Sequence, residues 1–235
     1  MRLFAARSIH GIPNITLRVI HRNPTTAASC HNGHASMKTA IFFLLAASCA
    51  FSQEPQLPKG LYAVFTTSAG TFTAKLFEKD TPESVRTFVG LAQGTKAWKD
   101  PRSGKMVKRP LYDNLLFYRS LPGDMIQSGS PTGTTAYDCG FTIRDEFLPG
   151  LRFDHSGALA MANAGSDNTG GCQFFITTGP VPRWNGKYAV FGSVVQGMDV
   201  VEKINHLPVH GEEPVNPAKL IHVVINRVGP EPGKR

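Results

Sequence analysis

Covalent catalysis finds little to work with in this sequence. Asp154, His155 and Ser156 supply the three groups of a nucleophilic triad, but they are consecutive. Neighbours along a strand point to opposite faces, so the three cannot pass a proton among themselves. Ser103-Gly104-Lys105 lacks the preceding glycine that a phosphate-cradling loop needs at its spacing. The two cysteines of the body, Cys139 and Cys172, are not the closely spaced ligand pair of a zinc site, and neither a metal nor any other cofactor is expected. The side chains left for chemistry act through hydrogen bonds and shape. Arg119 follows Phe117-Tyr118, keeps its charge at any working pH, and precedes Met125 and Gln127, which share one face of a strand. Taken alone, Arg119 reads as half of a surface ion pair, and Gln127 carries no information.

The formal charge of +8 over 235 residues suggests nucleic acid or an anionic membrane until its position is considered. Residues 1–52 hold Arg2, Arg7, Arg18, Arg22 and Lys38 and no acid. Of the 25 Lys and Arg this leaves 20 against 17 Asp and Glu, a net of about +3 for the body, which suits solubility and not phosphate tracking. Nucleic acid is therefore not an expected partner.

From Met37 the text has the form of a secretory signal. Lys38 opens it, a short apolar stretch covers 40–50, and Ala50-Phe51-Ser52 makes a small-x-small cleavage site before Gln53. An apolar run of about a dozen residues falls short of the roughly 20 that span a bilayer, so no membrane span is expected after cleavage of 37–52. Export, periplasmic or secreted, is the expected localisation, with lipid attachment at Cys49 the less favoured alternative. Residues 1–36 read as a disordered upstream extension, although an Arg-rich, acid-free opening also resembles an organelle transit peptide. The remainder divides into a linker over 53–60, one domain over 61–230 and a tail over 231–235. Export would permit a disulfide between Cys139 and Cys172.

The elements that must position these residues are mostly strands. Residues 61–67 and 71–77 read as a hairpin turning around Ala69-Gly70. Asp80-Thr81-Pro82 starts a helix with Val85, Phe88, Val89 and Ala92 at helical spacing and Gly94 at its end. Residues 95–110, basic and polar around Trp98, read as an exposed loop of low structural content. Short apolar segments recur between Gly and Pro at 115–118, 125–127, 141–143, 158–161, 174–177 and 189–195, the spacing of an all-β barrel. A second helix is expected over 198–205, with Val200, Val201 and Ile204 on one face, and a last strand over 220–228.

Several segments together resemble the cyclophilin family in order and spacing. They are Phe117-Tyr118-Arg119, Pro122-Gly123, Met125-Ile126-Gln127, Met161-Ala162-Asn163-Ala164-Gly165, Gln173-Phe174-Phe175-Ile176-Thr177 and Asn185-Gly186-Lys187-Tyr188-Ala189-Val190-Phe191-Gly192. The helix text over 81–92 fits as well, and the match runs from about residue 61 to 228. The resemblance implies an all-β (β-rich) fold, a closed eight-stranded antiparallel β-barrel capped by two α-helices, with the substrate groove outside. It implies a monomeric peptidyl-prolyl cis-trans isomerase whose partners are proline-containing polypeptides and whose candidate inhibitor is a cyclic peptide.

X-Pro amides rotate through a barrier of about 18–20 kcal/mol and exchange over tens to hundreds of seconds. A site speeds this rotation by binding the twisted amide more tightly than either planar isomer. A cation donating near the prolyl nitrogen and an adjacent carbonyl favours the twist, while an apolar pocket holds the ring. By resemblance Arg119 is that catalytic cation, and Gln127 binds substrate backbone and steadies it. Met125 and Phe175 are the wall and floor of the proline pocket, where a thioether and a flat ring suit a puckered ring. Ala162, Asn163 and Ala164 offer backbone groups to the residues before proline, Gln173 reaches the same channel, and Tyr188 stands where many members carry histidine.

Three places depart from the family pattern. Asp124 stands where a large aromatic is usual; burying about 100 Å² less apolar surface weakens binding by about 2–3 kcal/mol, and the carboxylate is expected to pair with Arg119 or a basic substrate. Arg183-Trp184 replaces Trp-Leu, which puts Trp184 at the pocket's leucine position. Thr135-Ala136-Tyr137-Asp138-Cys139 replaces a glycine-rich loop and restricts its backbone. Asp124 is the best support for the alternative, a proline-peptide binding module or chaperone on the same scaffold with weak or no turnover. An active enzyme is expected to assist the folding of exported proteins.

Overall fold

The computed structural model describes residues 57–230. The expected leader, Cys49, residues 53–56 of the linker and the tail over 231–235 lie outside the described residues. In chain order the elements are β1 (Gly60–Thr67), β2 (Gly70–Leu76), α1 (Pro82–Gln93), β3 (Trp98–Lys99), β4 (Met106–Val107), β5 (Leu115–Leu116), β6 (Arg119–Leu121), β7 (Met125–Ser128), β8 (Ala158–Met161), β9 (Phe174–Thr177), β10 (Val190–Gln196), α2 (Met198–Asn205), β11 (Val209–His210), β12 (Glu213–Pro214) and β13 (Lys219–Val228). No helix among the described residues is long and apolar enough to cross a membrane.

Strand alternation explains the first hairpin. Leu61, Ala63 and Phe65 point inward on β1 and meet Leu76, Ala74 and Phe72 on β2, with the Phe65 and Phe72 rings stacked at 4.5 Å. Nine strands then form one curled antiparallel sheet in the order β5-β13-β1-β2-β10-β8-β9-β7-β6. The closed eight-stranded barrel implied by the resemblance does not form; the sheet is a half-barrel. Its two edges are β5 and β6, separated in the chain by only Phe117 and Tyr118, so the chain passes straight from one edge to the other and no ladder joins them. The following backbone covers the gap instead. Phe117 N–H donates to Ala218 O at 2.9 Å and Ser120 N–H to Glu212 O at 2.8 Å, which satisfies edge groups that a further strand would otherwise take.

The helix α1 packs against the inner face of this sheet. Val85, Phe88, Leu91 and Ala92 are buried, and the Phe88 ring lies 5.0–5.9 Å from those of Phe65, Tyr112, Phe174 and Phe191. Its cap comes from a distant segment. Thr81 makes no side-chain cap, whereas the Glu146 carboxylate accepts from Glu83 N–H at 3.0 Å and from Ser84 N–H at 2.9 Å, the favourable place for a negative charge. Gly94 ends the helix with a φ of 73°, and a Cβ there would meet Arg109 backbone at 2.5 Å.

Two local expectations need correction. Residues 95–110 are not a featureless exposed loop: β3 and β4 pair, Trp98 is buried, and its indole N–H donates to Arg109 O at 2.8 Å. Asp100 holds the same segment, accepting from Arg102 N–H at 2.8 Å and Arg109 Nη2 at 2.6 Å. Conversely, 141–143 forms no strand, only an isolated bridge between Ile143 and Gly170.

Alternation within three short strands creates two clusters. Ile126, Leu159, Met161, Phe174 and Ile176 point into the main core with α1. Their neighbours Met125, Ala158, Ala160 and Phe175 point the other way, into a smaller cluster with Phe153, Val181 and Val190. The second cluster is where the functional groove lies.

Candidate active site

Strand register assembles the centre of the site. Arg119 on β6 pairs with Gln127 on β7, and Gln127 pairs with Phe175 on β9, so a guanidinium, an amide and an aromatic ring follow one another across three strands. Arg119 Nη1 donates to Gln127 Oε1 at 2.9 Å, and Nε donates to Glu212 Oε2 at 2.6 Å. Nη2 has no hydrogen-bond partner among the described residues, and the side chain is 31% exposed, so donors remain for a ligand in the groove.

Gln127 is buried and transmits the arrangement further. Its Nε2 donates to Tyr118 Oη at 2.9 Å and to Gln173 Oε1 at 3.1 Å, and the Tyr118 hydroxyl also donates to Gln173 Oε1. Gln173 Nε2 then donates to Thr135 O at 3.1 Å and Tyr137 O at 3.2 Å. Burial pushes the Tyr118 phenol well above its ordinary range, which keeps it a donor. The turn from β6 to β7 is fastened from α2, where buried Asn205 donates to Leu121 O and Met125 O at 2.9 Å and accepts from Gly123 N–H at 2.8 Å.

Beside this polar corner is an apolar notch. The Phe175 ring meets Trp184 edge-on at 5.3 Å and Tyr188 edge-on at 5.2 Å, and stacks with Phe153 at 5.8 Å. Met125 packs in the same cluster. Corner and notch open onto one groove of about 1360 Å³ whose lining includes Arg119, Met125, Gln127, Ala162, Asn163, Ala164, Gln173, Phe175, Trp184 and Tyr188. The small-residue segment, expected to offer backbone groups, has several of its polar groups engaged within the protein. Ala162 N–H is engaged by Gln173 O at 2.9 Å and Ala164 N–H by Thr169 Oγ1 at 2.9 Å, while Asn163 Nδ2 donates to Lys187 O at 2.9 Å. The N–H groups of the two alanines are thus used within the protein.

Two of the departures compensate each other. Asp124 does not pair with Arg119; it pairs with Arg183, whose guanidinium lies 5.2 Å from the Trp184 ring centre. The carboxylate that replaces an aromatic wall is therefore neutralised by the arginine that replaces a tryptophan. In the third departure, the carbonyls of Thr135 and Tyr137 hold Gln173. Cys139 and Cys172 are free thiols in the groove wall; burial raises Cys172, while a hydrogen bond from Cys172 holds Cys139 down. Among the described residues no group of three or more His, Cys, Asp or Glu is placed to hold a metal.

Sequence reasoning missed Glu212, Asn205 and Phe153 as parts of the site. Phe153 sits in a polar stretch and the other two lie 80 or more residues from the groups they hold, so no local pattern marks them. Tyr118 was within the recognised motif, and its place beside Arg119 was the available signal.

A fixed guanidinium at one end of an outward groove and an aromatic notch at the other define a protein that accommodates a polar chain bearing an apolar ring. Comparison with known proteins makes this specific. The family model for cyclophilin type peptidyl-prolyl cis-trans isomerase/CLD matches residues 62–225, and the chain belongs to that family as a peptidyl-prolyl cis-trans isomerase. Peptidyl-prolyl cis-trans isomerase A of Mycobacterium tuberculosis (strain ATCC 25618 / H37Rv) is 40% identical over 167 residues, covering 70% of this chain and 91% of the relative. Peptidyl-prolyl cis-trans isomerase-like 1 of Aspergillus fumigatus is 37% identical over 174 residues, covering 72% and 97%. A Cryptosporidium parvum cyclophilin type isomerase, solved in the presence of the dipeptide Ala-Pro, superposes with a TM-score of 0.61 at 28% identity and covers 71% of this chain and 99% of its own.

Proposed function

We propose that this isomerase turns X-Pro bonds of exported polypeptides, with Arg119 as its catalytic residue and the Phe175 notch as its proline pocket. The observation that carries the reading is the Arg119 guanidinium, held at 2.9 Å by Gln127 in register with Phe175 and with Nη2 unpartnered among the described residues. A proline ring in the notch leaves its amide toward the guanidinium. Donation to the pyramidal nitrogen and to a neighbouring carbonyl is stronger in the twisted amide than in either planar form, so binding lowers the barrier. Met125, Trp184 and Tyr188 confine the ring, and Gln127 and Gln173 hold the polar wall beside it. The secretory pattern over 37–52 supports exported polypeptides as the client class and a periplasmic or secreted setting.

The test is prolyl isomerisation of a short X-Pro peptide by wild type and Arg119→Ala. The expected result is at least a tenfold fall in kcat/KM, about 1.4 kcal/mol of transition-state stabilisation, with folding unchanged. An unaltered rate would overturn the assignment.

A further inference from the structure

Arg119 sits on an edge strand, where nothing in the sheet itself restrains its outer side. The restraint comes from a small ribbon formed by β11 and β12, which pair Val209 with Pro214 and His210 with Glu213. Gly211 at its tip has a φ of 65°, a left-handed conformation that turns the chain sharply and presents Glu212 to β6. The ribbon is anchored at both levels: Pro214 is buried, and Glu212 O accepts from Ser120 N–H at 2.8 Å, one residue along from Arg119. The backbone of Glu212 is thus docked beside the arginine that its carboxylate contacts at 2.6 Å.

We infer that Glu212 is a positioning residue for catalysis, orienting the Arg119 guanidinium from the side opposite Gln127. This rests on Arg119 being the catalytic cation. A guanidinium with one partner can swing about its stem, whereas partners on Nε and Nη1 from two separate segments fix its plane and leave Nη2 without a partner among the described residues, on a side chain that lines the groove. Stability does not account for the contact. Arg119 and Glu212 are 31% and 51% exposed, and ion pairs so open to water contribute little to folding. Orientation, in contrast, acts directly on rate, because small misplacements of a catalytic group are costly.

A double-mutant cycle tests the inference with wild type, Glu212→Ala, Arg119→Ala and the double variant on one X-Pro peptide, alongside Glu212→Gln. Glu212→Ala is expected to lower kcat about fivefold at nearly constant KM and nearly constant melting temperature. Glu212→Gln keeps an acceptor for Nε and is expected to stay within about twofold of wild type. In the Arg119→Ala background, Glu212→Ala is expected to have no further effect, since its influence passes through the missing guanidinium. The inference is overturned by an unimpaired Glu212→Ala, by the same fold-loss in the Arg119→Ala background, or by a Gln variant as impaired as the Ala variant. These outcomes are distinct from failure of the functional reading, which shows as an Arg119→Ala enzyme with a wild-type rate.

Discussion

At the polar corner of the groove, order is achieved by hydrogen bonds from separate segments: Arg119 and Tyr118 each have two partners, Gln127 has three and Gln173 has four, while the Glu212 carboxylate holds Arg119. At the notch ring contacts suffice: the side chains of Phe153, Phe175, Trp184 and Tyr188 hold one another by area and shape. The two designs fail differently. Dispersion and burial are non-directional and sum over many atoms, so the notch contributes to stability as well as to binding. Hydrogen bonds are directional and individually modest in net energy, so the corner contributes mostly by holding a geometry.

The largest expected effect tests the notch. Phe175→Ala removes a ring packed on three others and is expected to destabilise the fold by about 3 kcal/mol while raising KM for X-Pro peptides, measured by denaturant unfolding and by saturation kinetics. A stable variant with unchanged KM would show that the notch is not the proline pocket. Next in size is Gln127→Leu, which fills the same space but strands the Tyr118, Gln173 and Arg119 groups that Gln127 joins. It is expected to cost about 1–3 kcal/mol of stability and to reduce kcat along with it. If stability falls while kcat is kept, the corner is structural only. The smallest effect sits on the rim. Asp124→Ala breaks an exposed pair with Arg183 and is expected to change stability by less than about 1 kcal/mol. Its influence on KM should fade at high salt; an effect that persists there would mean the carboxylate contacts substrate directly.

The rim also shows where residue-by-residue comparison falls short. Asp124 alone argues for a weakened pocket, and Arg183 alone argues for a lost tryptophan. Only their proximity, across 59 positions of chain, reveals that the two substitutions offset each other. The ion pair accounts for the charge of the carboxylate; it does not replace the apolar area that an aromatic side chain would bury. The barrel expectation failed for a related reason. The apolar segment over 115–118 contains the edge strand β5, but whether that edge pairs with β6 depends on curvature of the whole sheet, which no local pattern encodes.

The sequence by itself determined the elements whose evidence is periodic or motif-bound. The α2 range 198–205 and the β1–β2 hairpin follow from spacing a few residues long. It also named Arg119, Gln127, Met125 and Phe175 as companions. The tertiary structure alone decided that Trp98 is buried, that Glu146 caps α1, that Arg183 answers Asp124 and that Glu212, 93 residues away, holds Arg119. Periodicity reports which face a side chain takes, because backbone geometry repeats locally. Which distant side chain waits on that face is settled only when the chain closes on itself and polar groups must find partners.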